Sequence, residues 1–278
     1  ECFTIRGQEM LKTWRYGKDS LSGVIFIDEF YTGDETYIDG FYRHDIDYGL
    51  RITEPDFEAE SDAKRRFNSN LKYVSGKKVG DFGCGSGDFL RLVKPHCTEV
   101  IGVELQQNYI DALNESEIPC FNNLSSIGNN SLDIFVSFHV IEHLPNPLET
   151  LEEIKSKIVS GGKILIEVPH AKDFLLSSIE CEQFKQFTLW SQHLVLHTRE
   201  SLKKILEFVG FVDIQIKGVQ RYPLSNHLYW LANGMPGGHK SPLSNLESDE
   251  LYLSYSNSLE KIDATDTLVA VAKLPWTH

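Results

Sequence analysis

The stretch "DFGCGSGDF", residues 81–89, decides the fold. It joins the apolar run "KKVGDF" (77–82) to a helical pattern over 87–94, and it carries glycine at every second position, at Gly83, Gly85 and Gly87. Glycine permits backbone conformations closed to other residues and lets the main chain approach a ligand, while the N-terminus of the following helix favours negative groups. Strand, glycine turn and helix together make a general device for holding a nucleotide-type cofactor. A dinucleotide fingerprint would need glycine at position 88 to complete GxGxxG; Asp88 stands there, and the spacing is GxGxG.

From Lys77 onward short apolar runs alternate with helical patterns, which predicts a doubly wound α/β sheet with crossover helices. The predicted strands are 77–82, 99–105, 118–122, 132–138, 162–168, 211–219 and 266–274, with helices over 87–94, 107–114, 146–159 and 199–209. In "NPLETLEEIKSKI" the residues Leu148, Leu151, Ile154 and Ile158 recur at three- and four-residue spacing, Pro147 suits a first turn, and the helix is expected to stop at Gly161 and Gly162. Residues 1–75 are polar and aromatic-rich with weak periodicity, and read as a helical and irregular N-terminal extension ahead of a domain over 76–278. A segment of about 45 residues, 221–264, separates the last two strands. Connections of that length carry structure or function of their own, so a substrate-side insertion is placed there.

Composition narrows the function. The chain has 278 residues, 41% of them hydrophobic, enough for a substantial core. Twenty-seven basic residues against forty acidic ones give a net charge of -13, which disfavours nucleic acid and anionic membranes as partners. The five cysteines are scattered without CxxC spacing, so neither a disulfide framework nor a thiolate zinc site is indicated, and a reducing cytoplasm is the expected setting. No apolar run reaches the roughly 18 residues of a membrane span, and the opening "ECFTIRGQEM" lacks signal-peptide architecture.

Asp81 precedes the glycines, and Glu104 ends the next strand 21 positions after Gly83, where a carboxylate can accept hydrogen bonds from a ribose diol. Asp81-Phe82-Gly83-Cys84-Gly85-Ser86-Gly87, followed by a strand ending in Glu104, resembles the class I S-adenosylmethionine-dependent methyltransferases. "LDIFVSFHVIEHLPNPLETLEEI" is similar to the fourth strand and following loop of that family, and "VSGGKILIEVPH" to its fifth. The resemblance covers residues 70–220 and returns at the final strand. It implies a Rossmann-like, seven-stranded mixed sheet with helices on both faces, S-adenosyl-L-methionine as cofactor, and methyl transfer. It places Gly83, Cys84, Gly85 and Gly87 along the methionine part of the cofactor, Asp81 near its ammonium, Glu104 and Leu105 at the ribose, Asn123 where adenine is contacted, and His139 on the cofactor side. The tyrosines between Tyr31 and Tyr48 would form an N-terminal lid.

A base is needed only where the attacking atom must lose a proton, so the candidates are histidines and carboxylates near the strand ends. His139, Glu142 and His143 follow the fourth strand; His139 and His143 are candidates for catalysis, and Glu142 and His143 read equally as loop anchors. His170 closes the fifth strand on the substrate side. "LWSQHLVLHTRESLKKILEFVGF", residues 189–211, resembles a segment of sugar methyltransferases, and on that match His193 takes the place of the base and Trp190 that of its aromatic partner. Gln192 and Trp190 depart from that pattern, which usually has glutamate and tyrosine. His193 and His197 stand four apart, but Thr198 reads as the N-cap of the next helix, which puts both in its approach segment; no metal site is expected. In the insertion His227, Tyr229, Trp230, His239 and Lys240 offer rings and cations suited to a sugar and a phosphate, unless Leu228, Trp230 and Leu231 pack an added helix.

The expected reaction is methyl transfer to a small or medium, carbohydrate-linked acceptor. Two other readings stand beside it: an O- or N-methyltransferase of a metabolite or lipid-quinone, because "VIEHLPNP" also resembles that branch, and a non-catalytic module that binds the cofactor. Nucleic-acid methylation is disfavoured by charge and by "FHVIEH" where a Pro-Pro loop would stand. The expected assembly is a homodimer.

Overall fold

The computed structural model describes residues 2–4, 13–27, 57–189 and 192–276. The tyrosines from Tyr31 to Tyr48, and Trp190, lie outside these residues. In chain order the elements are β1 (Cys2–Thr4), β2 (Thr13–Lys18), β3 (Ile25–Ile27), α1 (Phe57–Val74), β4 (Lys78–Phe82), α2 (Asp88–Val93), β5 (Glu99–Val103), α3 (Gln107–Glu115), β6 (Cys120–Phe121) and β7 (Leu132–Phe138). There follow α4 (Pro147–Lys157), β8 (Ile158–Pro169), α5 (Glu182–Thr188), β9 (Val195–Leu196), α6 (Arg199–Val209), β10 (Val212–Val219), α7 (Leu224–Asn233), α8 (Asp249–Lys261) and β11 (Thr267–Lys273).

Seven strands form one sheet in the order β10-β11-β8-β7-β4-β5-β6. β4 runs parallel to both its neighbours, with Gly80 opposite Ile101 and Phe135, and β5 runs parallel to β6. Because the chain goes outward from β4 to β5 and β6 and then returns to lay β7 on the other side of β4, the strand order reverses there. In open α/β sheets ligands bind at the carboxyl ends of the strands at such a reversal.

The chain clusters into two compact units, the described residues of Glu1–Tyr31, Glu167–Lys204 and Gln215–Ala270 forming a first and those of Thr32–Ile166, Ile205–Ile214 and Val271–His278 a second. In the second unit the strands read as nearly continuous apolar runs because both faces are covered: Val79, Ile134, Phe135, Val136, Ile164, Leu165 and Ile166 are all buried. α2 buries Phe89, Leu90 and Val93, α3 Ile110 and Leu113, and α4 Leu151 and Ile154. The outermost strand, β6, is only two residues long, and the Asn114 side chain of α3 meets its outer backbone: Asn114 Oδ1 accepts from the Cys120 N–H at 3.0 Å and Nδ2 donates to the Cys120 carbonyl at 3.1 Å.

In the first unit β1, β2, β3 and β9 form a second, antiparallel sheet. Its apolar centre gathers Ile25, Ala171, Leu176, Leu189 and Leu196, with Tyr16 and Phe184 against it. A neighbouring cluster sets Trp230 edge-on to Phe184 and Phe187, at 5.3 and 5.0 Å between ring centres.

Three expectations change. The N-terminal extension is not only helical and irregular: it contains three short strands before α1, and the β2–β3 turn is closed by Asp19, which accepts from Ser22 N–H and Oγ at 2.6 Å. α4 stops at Lys157 rather than at the glycines, and β8 begins at the next residue and runs through Gly161 and Gly162; Gly161, at φ +76, leaves the space that Trp276 fills. The apolar stripe of α4 is also shorter than read, with Leu148 exposed and Ile158 already in the strand.

Candidate cofactor and acceptor site

All the expected cofactor residues belong to the second unit. Past β4 the Gly83 and Cys84 N–H groups both donate to the Val103 carbonyl, at 2.8 and 3.1 Å, which folds the turn back over β5. Gly83, Gly85 and Gly87 all take positive φ, at +73, +55 and +78. A β-carbon at Gly83 would run into Val140, and one at Gly87 into Leu113, so backbone and space both demand glycine at these two positions.

Two carboxylates frame the turn. Glu104 is buried; its Oε2 accepts from Gly85 N–H at 2.7 Å, and its Oε1 from the N–H groups of Leu105 and Gln106 at 2.8 and 3.0 Å. With one such bond, Oε2 keeps a direction for a hydroxyl donor. Asp81 is 2% exposed, and its Oδ1 has no hydrogen-bond partner among the described residues. Burial pushes its carboxyl up to about 7, against the pull of the Arg66 guanidinium and with a further push from Glu104. Arg66 comes from α1 and stacks 4.6 Å above the Phe138 ring. It was missed in the sequence, where residues 1–75 read only as a helical and irregular extension. Leu105 stays 45% exposed next to Glu104. Asn123 is otherwise engaged: its Oδ1 caps the turn Leu124–Ser126 by accepting from Ser126 N–H at 3.2 Å, and its Nδ2 donates to Asn122 Oδ1 at 2.6 Å.

At the end of β7, His139 takes a positive φ of +56, a strained value for a residue with a β-carbon. Its Nδ1 lies 3.2 Å from Glu142 Oε1, and His143 Nε2 lies 3.9 Å from the same oxygen. Glu142 is fully buried between the two rings. The loop that the sequence offers twice, as catalytic and as anchor, is therefore one hydrogen-bonded unit hung on a buried carboxylate.

The expected acceptor residues belong to the first unit. His193 Nδ1 lies 2.7 Å from the Thr188 carbonyl. A carbonyl only accepts, so Nδ1 carries the proton and Nε2 is the basic nitrogen. His197 precedes α6 in extended backbone, and Thr198 caps that helix reciprocally with Ser201: Ser201 N–H donates to Thr198 Oγ1 at 3.3 Å and Thr198 N–H to Ser201 Oγ at 2.9 Å. Thr198 Oγ1 also donates to the Ser22 carbonyl at 3.0 Å. The two histidines thus do not share a helix face.

His170 is buried; its Nδ1–H donates to the Thr265 carbonyl at 3.0 Å, and Nε2 lies 3.7 Å from Asp263. Burial pushes this imidazole down to about 4, so it is neutral at physiological pH, while Asp263 is bound by Lys172 and Arg199. His227 is turned inward rather than toward a ligand. Gln220 Nε2 donates to its Nε2 at 3.3 Å, its Nδ1 meets Tyr255 Oη at 2.6 Å, and its ring stacks on Phe174. Burial holds it neutral, near 4, which removes it as a cationic phosphate partner. His239 is partly buried in the turn Gly238–Lys240, and Lys240 is exposed.

Asp173 adds a buried acid that the sequence did not single out. Its Oδ1 accepts from Leu175 and Leu176 N–H at 2.7 and 3.0 Å, capping the π-turn Phe174–Ser178. Burial pushes the carboxyl up to about 7, Asp266 adds to the rise, and the backbone bonds oppose it. A raised folded value means stability that is full below the ordinary value of 3.8 and is lost as pH climbs through about 7. Asp173→Asn keeps the capping oxygen without the charge. Its stability advantage over the wild type is expected to grow between pH 5 and pH 8 by on the order of 2 kcal/mol, measured by urea unfolding; a constant difference would count against a raised carboxyl.

Parallel strands whose order reverses at β4, a GxGxG turn at that point and a carboxylate at the end of β5 define the class I S-adenosylmethionine-dependent methyltransferase. The residues present fit the cofactor: an unpartnered buried carboxylate oxygen for a cation, a β-carbon-free turn for close approach, and Glu104 at the sugar position. A family described as a methyltransferase domain matches residues 58–216, and the chain belongs to it. A ubiquinone biosynthesis O-methyltransferase of Psychrobacter arcticus is 24% identical over 179 residues, covering 58% of this chain and 69% of the relative. One of Coxiella burnetii is 26% identical over 176 residues, covering 56% and 75%. The crystal structure of a SAM-dependent methyltransferase from Archaeoglobus fulgidus shares the fold, with a TM-score of 0.54 at 24% identity over 77% of this chain and 94% of the other. Among the described residues no helix is long and apolar enough to cross a membrane.

Proposed function

We propose that this methyltransferase acts in the reducing cytoplasm on a hydroxyl oxygen of a small acceptor, with His193 as general base. The observation that carries this is the bond from His193 Nδ1–H to the Thr188 carbonyl, which fixes the tautomer with the lone pair on Nε2. Such a base is of use to an alcohol or phenol, which must lose a proton. The cofactor, when bound, supplies an electrophilic methyl group on sulfur. The protein holds and orients it: the backbone of Gly83, Cys84, Gly85 and Gly87 takes the amino-acid part, Asp81 its ammonium, Glu104 a ribose hydroxyl and Leu105 an apolar face.

A phenolic, quinol-type acceptor is supported by relatives that are named ubiquinone biosynthesis O-methyltransferases. A carbohydrate-linked acceptor is the second reading, supported by the likeness of residues 189–211 to sugar methyltransferases. Release of S-adenosylhomocysteine measured against catechols, quinols and nucleotide sugars separates them. Turnover of catechols or quinols alone supports the first, turnover of nucleotide sugars alone the second, and turnover only of amines would remove the oxygen assignment.

The role given to Asp81 has a pH signature. The carboxylate pairs with an ammonium only when ionised, and burial sets its ordinary titration near 7. S-adenosylhomocysteine affinity is expected to fall about tenfold per pH unit below that value and to flatten above it. Asp81→Asn should bind weakly and without this slope. A wild-type affinity that is level from pH 6 to pH 8 by calorimetry would sink the assignment.

A further inference from the structure

Within the cofactor turn lies a pair of thiols that methyl transfer does not use. Cys84 is in the glycine turn itself and Cys120 is in the edge strand β6, yet their sulfurs are 3.9 Å apart. They come from either side of β5 and meet over it because β5 has Gly102 between them: a β-carbon there would sit 2.7 Å from Cys84 Sγ and 3.0 Å from Cys120 Sγ. Gly102 pairs directly with Cys120 in the β5–β6 ladder. The other two cysteines whose side chains are described, Cys97 and Cys181, form no such contact with a thiol.

We propose that Cys84 and Cys120 form a reversible disulfide, made by a peroxide and undone by a thiol reductant, that shuts the cofactor site by dragging the glycine turn over β5. A disulfide needs its sulfurs at about 2.05 Å, so one side must move inward. β6 is held by its ladder to β5 and by Asn114. Cys84 stands between Gly83 and Gly85, residues with the widest backbone freedom, so the turn is the side that moves. Movement of the turn strains the Gly85 N–H to Glu104 bond, which joins the two halves of the cofactor site.

The chemistry balances with hydrogen peroxide as oxidant. The partly exposed Cys84 thiol attacks one peroxide oxygen, the O–O bond breaks, Cys84 becomes a sulfenic acid, and the first water leaves. Cys120 sulfur then attacks Cys84 sulfur, the S–O bond breaks, and the sulfenic hydroxyl leaves with the Cys120 proton as the second water. The two sulfurs together lose two electrons and the peroxide gains them. In a reducing compartment such bonds are redox-sensing rather than structural.

The test uses the intact chain. After treatment with hydrogen peroxide, peptide mapping without reduction is expected to find Cys84 linked to Cys120, and calorimetry to show S-adenosylhomocysteine bound at least about tenfold more weakly, with affinity restored by dithiothreitol. By reciprocity, saturating S-adenosylhomocysteine should slow formation of the linked peptide. Cys120→Ser should keep its affinity through the same treatment. Absence of the linked peptide from oxidised wild-type protein overturns the proposal whatever the variant does. So does a linked protein that binds S-adenosylhomocysteine as tightly as the reduced one.

Discussion

His193→Ala is expected to lower kcat on the accepted substrate by about a hundred- to ten-thousand-fold, or about 3–5 kcal/mol in the barrier, and to leave S-adenosylhomocysteine affinity unchanged. The size follows from what the ring contributes. Its Nδ1–H is held by the Thr188 carbonyl at 2.7 Å, so the ring reaches the reaction already in the tautomer that accepts a proton at Nε2. Removing it forces water to take the proton or the alcohol to attack undissociated. The loss should therefore shrink across a series of acceptors of rising acidity, because the more acidic hydroxyl depends less on a base. A variant that folds normally and turns over at the wild-type rate would remove His193 from this role, and an equal loss with every acceptor would recast it as a positioning group.

Glu104→Gln is expected to weaken S-adenosylhomocysteine binding by tenfold or more and to destabilise the protein by about 1–3 kcal/mol, although the change is nearly isosteric. Both carboxylate oxygens accept from backbone: Oε2 from Gly85, Oε1 from Leu105 and Gln106. An amide has only one accepting oxygen, so either rotamer turns an NH2 group against a backbone N–H. Glu104→Ala removes the clash but also every acceptor, and should bind more weakly still, by about a hundredfold. Calorimetry and thermal unfolding on the same samples separate the two effects. A Gln variant matching the wild type in both would show that the glycine turn does not lean on Glu104.

The central sheet was legible because its strands are buried on both faces and so read as apolar runs between turn residues, as at Leu132–Phe138, where the observed strand has the predicted bounds. The N-terminal strands β1 and β3 were not, since three residues are too few to show a period of two; the turn "DSLSG" carried a signal, in Asp19 and Gly23. Helix α7 inverted the usual rule. It buries Ser225, Asn226, His227 and Trp230 and leaves Leu228 and Leu231 more exposed. Its inward polar residues reach distant partners: Asn226 Oδ1 accepts from Gly237 and Gly238 N–H, the Ser225 backbone N–H donates to Glu247, and the His227 ring meets Gln220 and Tyr255. No local pattern announces partners that far along the chain. The glycine turn and Glu104 stood out because their spacing is local; Arg66 and Asp173 did not because their partners are not.

A sheet that ends in a two-residue strand has to say where it ends, or a neighbouring molecule will continue it. Here a side chain does so: the Asn114 amide offers Cys120 the same donor and acceptor that a further strand would, and occupies the groups on which cross-β stacking between copies could begin. One residue of α3 thus closes the outer backbone of the edge strand to a further strand.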